Sequence, residues 1–373
     1  MAKKSSYRRL GDFIEEVEAR NRDLSVKLSQ GICNLKYFQD PRQVAENSAN
    51  DKIVRRGWFA YNRATTRNGD KISIAYRDGE DCTVSASYLT FKIKNEELLN
   101  PYYLMMWFKR PEFDRYARFK SHGSAHEYFE WEEMCEVMLP VPPIEEQRKI
   151  VAEYQAIERR IESNRRLIAT LEATAQTIYR HMFVDNIDPE NLPQGWRMGT
   201  LGETATYVTQ KVEAVDVECY ISTENMQKDF GGVIISDGDY DEIKGTRFKE
   251  GDILLSNIRP YFKKLWLSDR NGCCSNDVLC FRPISKLFSN LPYYIMSNNQ
   301  FFDYVMAGAN GVKMPRGDKQ WIMNFQIPLP SEKALCLFTE RVNSIKSYRS
   351  LIDREIIILE RLNKFLLSKL SKL

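Results

Sequence analysis

The period of the apolar pattern changes twice along this chain, each time just after a pair of prolines. Upstream of Pro142 and Pro143, short runs such as TVSASYLTFKI from Thr83 have the mixed texture of strands and loops. Downstream, apolar positions recur at steps of four and three: Ile150, Tyr154, Ile157, Ile161, Asn164, Ile168, Leu171, Ala175, Ile178 and Met182, with Arg and Glu between them. After Pro328 and Pro330 the same pattern returns as Phe338, Val342, Ile345, Arg349, Ile352, Ile356, Leu359, Asn363, Leu366 and Leu370, displaced by a constant 188 residues. A four-three stripe sustained over more than four heptads predicts two coiled-coil helices. About 40 residues of helix at about 1.5 Å each make a rod of about 60 Å. The polar seam residues Asn164, Arg349 and Asn363 would fix the register at some cost in stability. The two helices are expected to pair antiparallel, because the segment between them begins at the far end of the first helix and must send the second one back.

The repeat extends into the strand-rich parts. Leu10-Gly11-Asp12 recurs as Leu201-Gly202-Glu203, and Gly57, Asn62 and Arg63 recur, with one insertion, as Gly251, Asn257 and Arg259. The run from Thr83 aligns without gaps on CCSNDVLCFRP from Cys273, and Pro101-Tyr102-Tyr103 aligns on Pro292-Tyr293-Tyr294. Phe113-Asp114, Gly123 and Pro140-Val141-Pro142 find counterparts in Phe302-Asp303, Gly311 and Pro328-Leu329-Pro330. The shared order of these weak matches predicts an α+β chain with a pseudo-twofold internal repeat. Two mixed α/β domains, 1–142 and 185–330, are each followed by a long helix, 143–184 and 331–373, and the two helices form an antiparallel coiled coil between the domains.

Composition narrows the chemistry. A chain of 373 residues is long for one core and suits two domains. A formal net charge of +3 neither requires nor excludes a nucleic-acid partner, so any such surface must be local. The eight cysteines include no CxxC pair, which favours reduced thiols over a zinc site or a disulfide framework. The opening MAKKSSYRRLGDF has no apolar signal run, and no stretch is apolar enough to span a bilayer, so a cytoplasmic protein without cofactor or metal is expected.

Catalytic motifs are fragmentary. Asn100-Pro101-Tyr102-Tyr103 lacks the second proline of the Asn-Pro-Pro-aromatic signature of adenine methyltransferases, and a turn into a helix explains it. The acidic stretch around Asp237, Asp239, Asp241 and Glu242 reads as an exposed loop rather than a magnesium site. His122 and His126 have no glutamate placed as a zinc-protease motif requires, and no phosphate loop occurs.

The segment PVPPIEEQRKIVAEYQAIERRIESNRRLIATLE from Pro140 resembles the conserved helical region of type I restriction-modification specificity subunits. LPQGWRMGTLGE from Leu192 and EGDILLSNIRP from Glu250 resemble the opening and central strand of a target-recognition domain of that family. The resemblance implies that 1–142 and 185–330 are target-recognition domains and that the chain is a non-catalytic reader of double-stranded DNA. It further implies a bipartite, asymmetric target with a spacer of fixed length, two docked methyltransferase subunits, and restriction and translocase subunits in the full complex. The first domain lacks the Pro-x-Gly-Trp of Pro193–196, and the second helix opens with PSEKALCLF where the family has a Glu-Gln pair, so the two docking sites are expected to be unequal.

Under that resemblance, the candidate DNA contacts are interleaved basic and polar residues, which suit phosphates and purine edges. In the first domain they are Arg55, Arg56, Asn62, Arg63, Arg67, Lys71 and, near its end, Ser124 together with Ser121, His122 and His126. In the second they are Arg247, Lys249, Asn257, Arg259, Lys263 and Lys264, then Lys313, Arg316, Lys319 and Gln320. The competing explanation for each is a solvated surface charge.

Overall fold

The computed structural model describes residues 7–41, 48–65, 71–122, 127–185, 187–214, 219–235 and 243–372. The chain divides into two compact units, Met1–Arg165 with Asp353–Leu373, and Arg166–Ile352.

In the first unit, strands β1 (Tyr7–Arg9) and β2 (Ile14–Glu16) flank a 3-10 turn at Leu10–Asp12. Then come β3 (Gly31–Ile32), β4 (Phe38–Gln39), β5 (Lys52–Val54), β6 (Trp58–Asn62), β7 (Ile74–Tyr76), β8 (Cys82–Val84) and β9 (Tyr88–Ile93). Helices α1 (Pro101–Phe108), α2 (Pro111–Phe119) and α3 (Trp131–Cys135) lead to β10 (Met138–Pro140), which pairs antiparallel with β1. The main sheet has the order β2-β9-β6-β7. Its alternation is strict: Phe59 and Tyr61 of β6 and Leu89, Phe91 and Ile93 of β9 enter the main core, whereas Ala60 turns to a small second core with Val54, Cys82 and Val84. Asn100 starts α1 by accepting from the amides of Tyr102 (2.9 Å) and Tyr103 (3.2 Å), with Pro101 in the first turn.

The long helix α4 (Ile144–Phe183) then runs from this unit into the second. The second unit continues with β11 (Arg197–Thr200), a 3-10 turn at Leu201–Glu203, β12 (Ala205–Tyr207), β13 (Lys211–Ala214), β14 (Tyr220–Ile221) and β15 (Ile243–Phe248). Strands β16 (Ile253–Ser256), β17 (Leu265–Leu267), β18 (Gly272–Cys274) and β19 (Val278–Pro283) precede α5 (Leu291–Met296), α6 (Asn299–Ala307) and α7 (Lys319–Met323). Strand β20 (Gln326–Leu329) closes on β11, and α8 (Glu332–Lys369) returns to the first unit. The main sheet here is β12-β19-β16-β17, the first unit's order repeated strand for strand. A further sheet has the order β13-β15-β18-β14.

Both units hold α4 and α8 antiparallel. In the first, Leu367 and Leu370 share a core with Val151 and Tyr154, Glu158 accepts from Asn363, and Arg165 pairs with Glu360 at 2.9 Å. In the second, Tyr179 and Phe183 pack on Phe338, and Glu172 meets Arg349 at 2.8 Å. None of the twenty seam positions read from the sequence is exposed. Ile150, Ile157, Ile168, Leu171, Ile178, Met182, Ile345, Arg349, Ile356, Leu359 and Leu366 are partly covered, and the other nine are buried.

One sequence correspondence is corrected by the strand register. Phe91 lies opposite Phe59 and Phe281 opposite Ile253, while Asn62 lies opposite Tyr88 and Ser256 opposite Val278. Ser256 therefore takes the place of Asn62, and Asn257 that of Arg63. Gly57 (φ 91°) and Gly251 (φ 85°) start both strands from the same left-handed turn, and Asn62 and Ser256 each follow their glycine by five positions, so the insertion falls beyond the strands.

Candidate nucleic-acid interface

The end of β16 carries the densest group of candidate residues. Beyond it, Ile258 forms an isolated bridge to Arg316, and Arg316 in turn bridges Asn310. The Arg259 amide donates to the Pro315 carbonyl at 2.8 Å, tying residues 257–263 to residues 310–316. Arg259 and Lys263 both adopt left-handed backbone (φ 51° and 50°), a conformation that costs a side-chain-bearing residue and gathers at functional sites. Arg316 is exposed and held by Asp277 at 3.0 Å. Among the described residues, the Asn257 Oδ1 and Arg259 Nε atoms are buried without a hydrogen-bond partner. Lys313 and Lys319 are exposed, the latter at the start of α7 with its ammonium 6.0 Å from the Tyr207 ring centre. Gln320 is exposed beside it.

Two lysines of this segment have structural work. Lys263 donates to Asn299 Oδ1 (2.9 Å). Lys264 donates to the Thr223 carbonyl (2.6 Å), and burial, with Lys228 nearby, pushes its pKa down.

The first unit builds the same junction from other side chains. Ala64 bridges Tyr128, Tyr128 bridges His122, and the Arg63 carbonyl accepts from Phe129. Arg63 pairs with Glu130 at 3.1 Å and lies 5.5 Å from the Tyr128 ring centre, a cation-π contact. Asn62 is spent locally, its Oδ1 accepting from the Ala64 amide (3.1 Å). Ser121 is buried and donates to the Ala117 carbonyl. His122 is exposed, 3.7 Å from Glu133, and Lys71 is exposed. Arg67, Ser124 and His126 lie outside the described residues.

The remaining candidates are not brought to these junctions. Arg55 and Arg56 occupy the turn before β6, and Lys249 occupies the matching turn before β16. The five residues of β6 and the four of β16, about 17 and about 13 Å, separate such a turn from the strand's far end. Arg56 is near Asp78 (3.7 Å), Arg55 is exposed 5.9 Å from the Trp58 ring centre, and Arg247 is exposed on β15. The junction partners Tyr128, Glu130 and Asp277 were not singled out in the sequence, because nothing in their local pattern marks them.

Residues 8–173 match the family model of the type I restriction modification DNA specificity domain. That part of the chain is similar to the DNA specificity domain of type I restriction-modification systems. Over 127 residues it is 27% identical to the type I restriction enzyme EcoDI specificity subunit of Escherichia coli, a match covering 34% of this chain. The chain spans only 28% of that relative's length. The fold is shared with the type I restriction-modification S subunit from M. genitalium, at 13% identity and a TM-score of 0.54, covering 100% of this chain and 97% of that one. It is shared as well with a chain solved in work on complex assembly and conformational transition of the type I R-M system, at 18% identity and a TM-score of 0.50, covering 100% and 99%.

The fragmentary catalytic motifs of the chain have structural explanations where they are described. Asn100 is a helix cap, its Oδ1 occupied by two backbone amides. Asp237, Asp239, Asp241 and Glu242 lie outside the described residues. Among the described residues, no group of three or more His, Cys, Asp or Glu is placed to hold a metal ion, and no helix is long and apolar enough to cross a membrane.

Proposed function

We propose that this chain reads double-stranded DNA for a type I restriction-modification complex, each unit supplying one target-recognition domain, 1–142 or 185–330. The observation that carries the reading is the duplicated sheet order, β2-β9-β6-β7 and β12-β19-β16-β17, in a chain whose residues 8–173 match the DNA specificity domain model. Each copy ends its third strand in a loop junction with exposed or partly exposed cations, Arg63 in one and Arg316 in the other. Because the junction residues differ, the two half-sites differ and the target is asymmetric, with a spacer whose fixed length follows from the paired helices. The cations supply a salt-sensitive phosphate term, and the side chains at the junctions supply base discrimination.

Adenine methylation and DNA cleavage belong, in this reading, to partners in the cytoplasm: two methyltransferase subunits, and restriction and translocase subunits. Helix α8 supports such docking. In the first unit it exposes Ile358, Leu362 and Phe365, spaced as one helix face, whereas no large apolar residue of α4 is exposed through Phe183.

Long-read sequencing of host DNA carrying the chain and its partner genes tests the proposal. The expected result is a split motif with methyladenine in both halves. A contiguous motif, or no modification, overturns it.

A further inference from the structure

The loop joined to Arg259 presents an apolar tip that the cations do not explain. Gly311 takes φ 92°, a conformation that glycine adopts freely, and the amides and carbonyls of Asn310 and Arg316 exchange two hydrogen bonds (2.8 and 2.9 Å). These constraints close the base of the loop 310–316. At its tip Val312 is fully exposed and Met314 is exposed, with Lys313 between them and Arg316 at the base. A single exposed valine is ordinary. This one stands at the apex of a loop held by a backbone bridge on one side and by the Arg259 to Pro315 bond on the other, beside a left-handed Arg259 whose Nε is buried without a partner among the described residues. Cations flank an apolar apex on a loop whose base is tied by backbone bonds, the arrangement that lets phosphate contacts set the register while a methyl group reads a base edge.

We infer that Val312 is a specificity-determining residue that packs its methyl groups against the C5 methyl of a thymine in the major groove of the half-site read by the second unit. This rests on the DNA-reading function proposed above. The occupant is double-stranded DNA, because the flanking Lys313, Arg316 and Arg259 suit phosphates, and thymine is the base that offers an apolar group in that groove. Val312 touches no core, so its truncation leaves folding intact.

The test compares the full chain with its Val312→Ala variant, each assembled with its methyltransferase subunits, in selection from random duplexes. The wild-type assembly is expected to prefer thymine at a position in one half-site where Val312→Ala loses the preference, with the other half-site unchanged. Uracil at that position, which lacks only the methyl group, should weaken wild-type binding about fourfold and leave the variant unaffected. Identical preferences in the two proteins, or equal loss with uracil, would overturn the role of Val312 while leaving DNA reading intact. Selection of no sequence by the wild-type assembly would remove DNA reading as well.

Discussion

The two units reach one sheet order through different chemistry. In the first, the loop between β3 and β4 turns at Lys36 (φ 67°), whose ammonium is buried against the Phe108 carbonyl and Asp114 (2.7 Å). In the second, the corresponding loop turns at Phe230 (φ 61°), which packs edge-on against Phe302 at 5.6 Å, while Asp303, the counterpart of Asp114, is exposed. The start of the long helices shows the same exchange. Gln147 of α4 is fully buried, donating to the carbonyls of Leu98 (2.9 Å) and Pro142 (2.8 Å) and accepting from the Asn100 amide (2.9 Å). Its counterpart in α8, 188 residues on, is Leu335, buried in a core with Leu291. The strand pattern thus survives while its fastenings change from polar to apolar. The glutamine of the Pro-Pro-x-Glu-Glu-Gln segment acts here as a structural clamp.

The contrast predicts a graded series of effects. The largest is expected for Lys36→Met, which strands the buried Asp114 carboxylate and should cost about 4 kcal/mol in chemical denaturation. Adding Asp114→Ala should restore most of that loss; a double variant no better than the single would mean that the ion pair is not what holds this loop. Smaller effects follow from exchanging the helix fastenings. Leu335→Gln buries an amide with no partner prepared for it, and Gln147→Leu leaves one amide and two carbonyls unmatched, each costing about 2 to 3 kcal/mol by the same measurement. If Gln147→Leu proved neutral, the clamp would be dispensable.

The smallest effect is a pH dependence. Burial, partly offset by Asp114, pulls the Lys36 pKa below its ordinary value of 10.5. Between the lowered value and 10.5 the unfolded chain holds a proton that the folded one has released, so stability from this group rises with pH in that window. The stability difference between wild type and Lys36→Met should therefore widen as pH climbs toward 10.5. A constant difference would show that Lys36 keeps its ordinary affinity for the proton.

Much of the architecture was legible in the sequence because it depends on spacing. The four-three stripe fixed which faces of α4 and α8 are covered, and the gapless match from Thr83 to Cys273 fell on β8 with β9 and on β18 with β19. The candidate interface was less legible. Matching Asn62 to Asn257 by residue type misplaced the insertion by one position, because the ladder of backbone hydrogen bonds, which residue identity does not encode, sets the correspondence. The left-handed turns at Arg259 and Lys263 carry no glycine to announce them. Arg55, Arg56 and Lys249 were grouped with the junction residues by nearness in sequence, yet an extended strand carries such neighbours far apart.

The return of α8 to the first unit bears on how the protein is made. Leu367 and Leu370 belong to the core that also contains Leu10 and Phe13, and the Tyr7 hydroxyl donates to the Ser371 carbonyl at 2.9 Å. A ribosome that has released residues 1–165 has therefore delivered a unit still missing part of its interior, which waits until residues 353–370 emerge. The second unit, contained in the uninterrupted stretch Arg166–Ile352, is free to assemble earlier, so the half translated first is the half completed last.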